Sequence, residues 1–119
     1  MKYACLIYGD GNQVEPIPPE EMEKLEADGL AFDQELRRSG HFIDAQALEP
    51  AQSAATIRTQ DGELSMTDGP FAETKEQLGG FFLIEARDLN EAIRIASAHP
   101  CMYWDAIEIR PVRELYPGS

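Results

Sequence analysis

The chain is poor in several residue types that carry chemistry, and each shortage narrows what it can be. It has two cysteines and two histidines in 119 residues. Cys5 and Cys101 are far apart and form no CxxC, so neither a disulfide framework nor a thioredoxin-like motif is indicated. Cys5 falls inside an apolar strand and reads as a buried small hydrophobe, with Cys101 the more exposed thiol. Adding His41 and His99 produces no metal-ligand spacing, even though His99 and Cys101 are near neighbours, so no metal is expected. Positive charge is scarce too: Lys plus Arg number 10 against 22 Asp plus Glu, a formal charge of −12. Such a field repels phosphate backbones and anionic lipid, so direct nucleic-acid and membrane binding are not expected. No stretch approaches the roughly 18 apolar residues of a membrane helix. The apolar run Tyr3 to Tyr8 is shorter than a signal-peptide core and no small-residue cleavage site follows it, so the expected location is cytoplasmic. No Gly-x-Ser-x-Gly occurs, and neither Gly9-Asp10-Gly11 nor Gly79-Gly80 opens a nucleotide-binding helix; no cofactor is implied.

What is present is enough for a core. Apolar residues make up 43% of the chain, and the length suits one domain over residues 1–119. Lys2 to Tyr8 is apolar on both alternating sets, the pattern of a central strand covered on two sides. A helix follows. Pro19 suits its first position, Glu20, Glu21 and Glu23 meet its positive end, and Arg37 and Arg38 its negative end, with Gly40 as a left-handed stop. Met22, Leu25, Gly29, Phe32 and Leu36 form one apolar stripe, and Gly29 within it predicts a close packing partner. His41 to Leu48 reads as a short strand. Asp61-Gly62 separates two runs of period-two character and predicts a type I′ hairpin. Gly79 to Ala86 is a further strand, apolar on both faces. Asp88 and Glu91 form a capping box for a second helix carrying Leu89, Ala92, Ile93 and Ala96 inward. That helix gives way at His99-Pro100, and Ala106 to Val112 is the last strand.

The order β-α-β, hairpin, β-α-β predicts an α+β fold of the ferredoxin-like, split βαβ kind, an antiparallel sheet with both helices on one face. Two helices cover only one face, yet the central strands are apolar on both. The uncovered face predicts a homodimer packed sheet against sheet, burying more than about 1,000 Å².

Polar residues concentrate in Thr67 to Gly80, TDGPFAETKEQLGG. Asp68-Gly69-Pro70 is a turn signal and needs no further purpose. The residues after it are denser in charge than a turn requires: Glu73, Lys75 and Glu76 stand between apolar strands, and Lys75 is one of three lysines in the chain. An ammonium and carboxylates beside a pocket could orient a polar ligand or move a proton; the alternative is a solvated loop or short helix. Met102, Tyr103 and Trp104 either seal the barrel end or dimer seam, or line an apolar pocket with hydrogen-bonding tips. Arg110 reads as a surface ion-pair partner.

The run DGPFAETKEQLGGFFLIEA, with the opening MKYACLIYGD, the SGHF after the first helix and the closing HPCMYWDAIEIRPV, resembles the YCII-related family, in its DGPF-motif branch, over nearly the whole chain. The resemblance implies a ferredoxin-like fold assembled as a dimeric α/β barrel, and an enzyme-like His–Asp pair in a cleft without a general reaction. It also implies association with extracytoplasmic-function sigma factors. The family's histidine on the first helix has no counterpart, because residues 1–40 contain no histidine, and the family's Asp-Pro step after the second helix is replaced by His99-Pro100. A relocated pair of His99 with Asp68 is therefore the catalytic expectation; the alternative places His99 as a cap on the second helix's C-terminus, and His41 reads as a boundary residue. Phe71, Glu73, Lys75 and Tyr103 are the expected ligand contacts for an unknown small molecule in a cleft near the Asp-Gly-Pro-Phe loop. The competing reading is a non-catalytic acidic module that meets a basic partner, such as a sigma factor, by charge complementarity.

Overall fold

The computed structural model describes residues 1–10, 17–100 and 104–115. Its elements run β1 (Lys2–Asp10), α1 (Pro19–Ser39), β2 (Phe42–Ala47), β3 (Ala55–Gln60), β4 (Glu63–Asp68), β5 (Glu76–Glu85), α2 (Leu89–Ala96) and β6 (Trp104–Pro111). Four strands form one sheet in the order β2-β5-β1-β6, every neighbouring pair antiparallel. This is the ferredoxin-like α+β arrangement that the element order predicts. The pair β3-β4 forms a second sheet of its own.

Alternation along the central strands separates two faces. On β1, Tyr3, Cys5 and Ile7 are buried, and on β5 so are Phe82 and Ile84. These side chains join Leu36 of α1 and Ala92 and Ala96 of α2 in one core, so both helices cover the same face. The other face presents Ala4, Leu6, Tyr8, Phe81 and Leu83, all only partly buried. The expected second apolar face is therefore present on the structure.

Local chemistry sets the element ends. Pro19 stands at the start of α1, and Gly40 ends the helix at φ 83°. Gly40 and His41 donate their backbone N–H groups to the carbonyls of Arg37 and Leu36, at 3.2 and 2.9 Å, which satisfies the last turn. The Asp61-Gly62 turn has φ of 51° and 82°, the pair of positive values a type I′ hairpin requires. At α2, the Asp88 carboxylate accepts from the Glu91 N–H at 2.9 Å, while Glu91 reaches back to the Arg87 N–H at 2.8 Å. The expected capping box thus closes one residue before the cap. That backbone hydrogen bond, together with the Arg87 and Arg94 guanidiniums, holds the Glu91 carboxyl below the usual carboxylate range.

Several details differ from expectation. On α2, Ala92 and Ala96 face the core as expected, but Leu89 and Ile93 are 45 and 44% exposed, and Ile95 packs against the core instead. Strand β5 starts at Glu76 rather than Gly79, because Glu76, Gln77 and Leu78 pair with Asp10, Gly9 and Tyr8 of β1. The ladder recruits polar residues whose own propensity does not mark a strand. Gly29 also lacks, among the described residues, the close neighbour expected of it: a Cβ built there would meet nothing within 4 Å. A mid-helix glycine costs roughly 0.5–1 kcal/mol against alanine, and packing does not account for it. Leu36 and Phe32, in the second half of the apolar stripe, meet the core, whereas Met22, Leu25 and Gly29 border open space.

Candidate functional site

That open space is a cavity of about 460 Å³ between the N-terminal half of α1 and the helix-covered face of the sheet. Its apolar walls come from Ile7, Met22, Leu25 and Phe82. Its polar lining comes from Glu26 and Asp33 of α1 and His99 from the segment after α2, with Gln46 of β2 contributing as well; Gln46 pairs with Phe81, so its side chain belongs to the other sheet face. Chain geometry explains the meeting. Glu26, Gly29 and Asp33 are spaced three and four apart and share a helix face. The stop at His99-Pro100 turns the imidazole back over the sheet.

The imidazole of His99 lies flat on Phe82, with centroids 5.2 Å apart and planes 4° from parallel, and the Phe32 ring meets it edge-on at 4.9 Å. Burial pushes its pKa below the ordinary value, and the Asp33 carboxylate opposes that fall by favouring the imidazolium. The result is a base that is neutral near pH 7 and has an anion at hand to stabilise its charged form. Held between two phenyl rings, this imidazole is not the cationic helix cap of the alternative reading.

A second, polar hollow of about 260 Å³ lies at the Asp-Gly-Pro-Phe bend, lined by Asp68, Gly69, Pro70, Glu73, Thr74 and Gln77 together with Ala51 and Gln52. Its hydrogen bonds are mostly internal. The Gly69 N–H donates to the Ala54 carbonyl at 2.6 Å, and Thr56 Oγ1 donates to the Gly69 carbonyl at 2.9 Å. Gln77 Nε2 donates to the carbonyls of Ala72 and Thr74 at 2.7 and 3.0 Å, and Thr74 Oγ1 to that of Glu76 at 2.7 Å. The stretch is built as a braced bend.

The residues singled out in the sequence are therefore divided. Asp68 and Glu73 share the polar hollow, and His99 lines the other cavity, so the structure does not bring Asp68 and His99 to one site. Among the described residues, the carboxylate that favours the charged form of His99 is Asp33. Phe71 is 72% exposed, its ring beneath the Arg58 guanidinium at 4.6 Å and its carbonyl accepting from Arg58 at 2.8 Å. Neither Phe71 nor the exposed Lys75 lines either hollow. Tyr103 lies outside the described residues, with Cys101 and Met102. His41 is a boundary residue whose Nδ1 meets the Glu85 carbonyl at 2.7 Å, and Arg110 pairs with Glu108 at 2.5 Å. Asp33 and Glu26 were passed over in the sequence because each looks like an ordinary charge on the polar side of an amphipathic helix. The available signal was their shared spacing with Gly29, carboxylates flanking an apolar stripe at the one place where that stripe holds no side chain.

Comparison with known proteins follows the same lines. The family model of the YCII-related domain matches residues 1–116. An uncharacterised protein of Rhizobium meliloti is 38% identical over 123 aligned residues, covering 100% of this chain and 98% of its own length. Among solved structures, the 5-chloro-2-hydroxyhydroquinone dehydrochlorinase of Burkholderia phenoliruptrix, in complex with 2,5-dihydroxybenzoquinone, superposes with a TM-score of 0.52. It shares 15% identity, with 95% of this chain and 94% of that one covered, a likeness of fold.

Proposed function

The chain belongs to the YCII-related domain family, and from that premise we propose that it is a small dimeric, enzyme-like protein that binds a small molecule in the α1–sheet cavity and moves a proton there. The observation that carries this reading is the half-buried imidazole of His99 with the Asp33 carboxylate acting on it inside a ligand-sized hollow. His99, neutral, takes a proton from an acidic X–H of the bound molecule. Asp33 stabilises the imidazolium that forms, and the proton then returns to another atom of the same molecule or to its product. The fold likeness to a dehydrochlorinase supports an enzyme-like role and leaves the reaction of this chain open. The polar hollow at Asp68 and Glu73 brings carboxylates, an alcohol and an amide together without an imidazole, which favours the α1 cavity as the centre for proton transfer.

The test is an NMR titration of the His99 ring. In Asp33→Asn the midpoint falls below that of the parent, because the anion favouring the imidazolium is gone; an unchanged midpoint overturns the pair. A thermal-shift screen against metabolites supplies the ligand, since a compound at about 100 times its Kd adds about 2.7 kcal/mol. A second reading rests on charge alone. At −12 the protein could instead serve as an acidic module for a basic partner such as a sigma factor, and salt-sensitive co-purification, with the His99 titration indifferent to Asp33, would favour that role.

A further inference from the structure

We infer that the α1 cavity is selective by charge: it takes a compact apolar molecule that is neutral or cationic and carries a hydrogen-bond donor, it rejects anions, and Gly29 is the residue that keeps room for the ligand. The inference rests on the proposed binding role of this cavity and adds to it the class of molecule bound.

Charge comes first. Of the polar residues lining the cavity, Glu26 and Asp33 are carboxylates, Gln46 carries no charge, and burial favours the neutral form of His99. No lysine or arginine lines it among the described residues. The chain on either side of the cavity-lining Ile17 and Pro100 does not supply one either, because residues 11–16 (GNQVEP) and 101–103 (CMY) contain neither. A carboxylate or phosphate entering the hollow would lose its water and find two like charges, with no cation to offset them. Ionised carboxylates only accept hydrogen bonds. The molecule that fits therefore brings the donor: a hydroxyl, an amine or an ammonium, on a body that the walls of Met22, Leu25 and Phe82 can cover.

Gly29 supplies the second, independent argument. Three glycines border this cavity, Gly29, Gly79 and Gly80, and the surroundings of Gly29 and Gly80 are opposite. A Cβ on Gly80 would sit 2.9 Å from the Gln46 carbonyl oxygen, so strand packing explains that glycine. Among the described residues a Cβ on Gly29 would meet nothing within 4 Å, and no positive φ requires glycine there. The helix accepts a poor helix former on its apolar stripe at a point that borders the cavity and has no described neighbour within 4 Å. A side chain at this position would project into the volume the ligand needs.

The experiment uses the full chain near neutral pH with phenol, benzylamine and benzoate, three probes of similar size that differ in charge, followed by amide chemical shifts. Phenol and benzylamine shift the resonances of residues around Gly29 and Phe82, and benzoate binds at least about tenfold more weakly. Glu26→Gln with Asp33→Asn narrows that gap. Gly29→Leu removes phenol and benzylamine binding while the melting temperature stays level or rises, and Gly29→Ala weakens binding in the same direction if leucine prevents folding. Benzoate binding as tightly as phenol overturns the charge selectivity. Gly29→Leu binding like the parent overturns the role of Gly29. If no probe binds while Asp33→Asn still lowers the His99 midpoint, this inference fails and the His99–Asp33 reading stands; an unmoved midpoint sinks that reading instead.

Discussion

His99 shows how strongly a side chain's surroundings decide its chemistry. Its ring is enclosed by Phe82 and Phe32, so the folded protein favours the neutral imidazole, whereas the unfolded chain protonates it near pH 6.5. The folded-state pKa is the lower one, so protonation favours unfolding. The stabilisation is complete above about pH 6.5 and is lost as pH falls toward the folded-state pKa. His99→Gln should therefore flatten the decline in melting temperature between about pH 7 and pH 5; an unchanged slope would show that other groups cause it. Cys5 is a second case, fully buried, its thiol pushed up to about 12 by desolvation. In a Cys101→Ser background, a thiol reagent at mildly alkaline pH should label Cys5 only after denaturant is added, and rapid labelling of the native protein would contradict its burial. At this scale the sequence was half legible. Cys5 was readable because a strand of alternating apolar residues surrounds it. The Asp33–His99 pairing was not, because it joins two elements far apart in the chain, and the spacing of Asp33 with Gly29 marks its helix face without naming its partner.

Whole elements were more legible, since their signals are local. Pro19 and Gly40 bracket α1 as expected, and Asp61-Gly62 takes the two positive φ values of its turn. The start of β5 was less so, because Glu76 to Leu78 are drawn into the ladder by pairing with β1. Cap chemistry can be tested directly at α2. Asp88→Ala removes the acceptor of the Glu91 N–H and should cost about 1 kcal/mol, a fall in melting temperature of roughly 4 °C; Asp88→Asn should recover most of it. Tight strand packing gives a second test. Gly80→Ala places a methyl group against the Gln46 and Ala47 backbone at 2.9 and 3.4 Å. It should destabilise by about 1–3 kcal/mol by forcing β2 away from β5, and a variant as stable as the parent would show that β2 shifts freely.

At the scale of the molecule, the lone chain is thin and spread for its length. Its extents are 45 × 44 × 19 Å and its radius of gyration is 16.3 Å, against about 13.5 Å for a compact domain of this length. Two apolar surfaces stand exposed on it. One is the uncovered sheet face with Leu6, Phe81 and Leu83. The other is the β3-β4 hairpin, in which Ile57 pairs with Met66 and Thr59 with Leu64, so that Ile57, Leu64 and Met66 share one face, 67 to 74% exposed. An isolated two-stranded hairpin is marginal in water, and this one stays folded most simply if the second copy also covers its apolar face. The dimer we propose thus makes separate demands on the two surfaces. Leu83→Lys places a charge in the centre of the sheet face and should give a monomer of 13.3 kDa in sedimentation at micromolar concentration. Met66→Lys should leave a weaker dimer whose β3 and β4 amides exchange faster, because the sheet faces still meet while the arm loses its cover. A parent chain that sediments as a monomer across the same range would remove the reason for both apolar surfaces at once, and the cavity at His99 would then have to work within one copy.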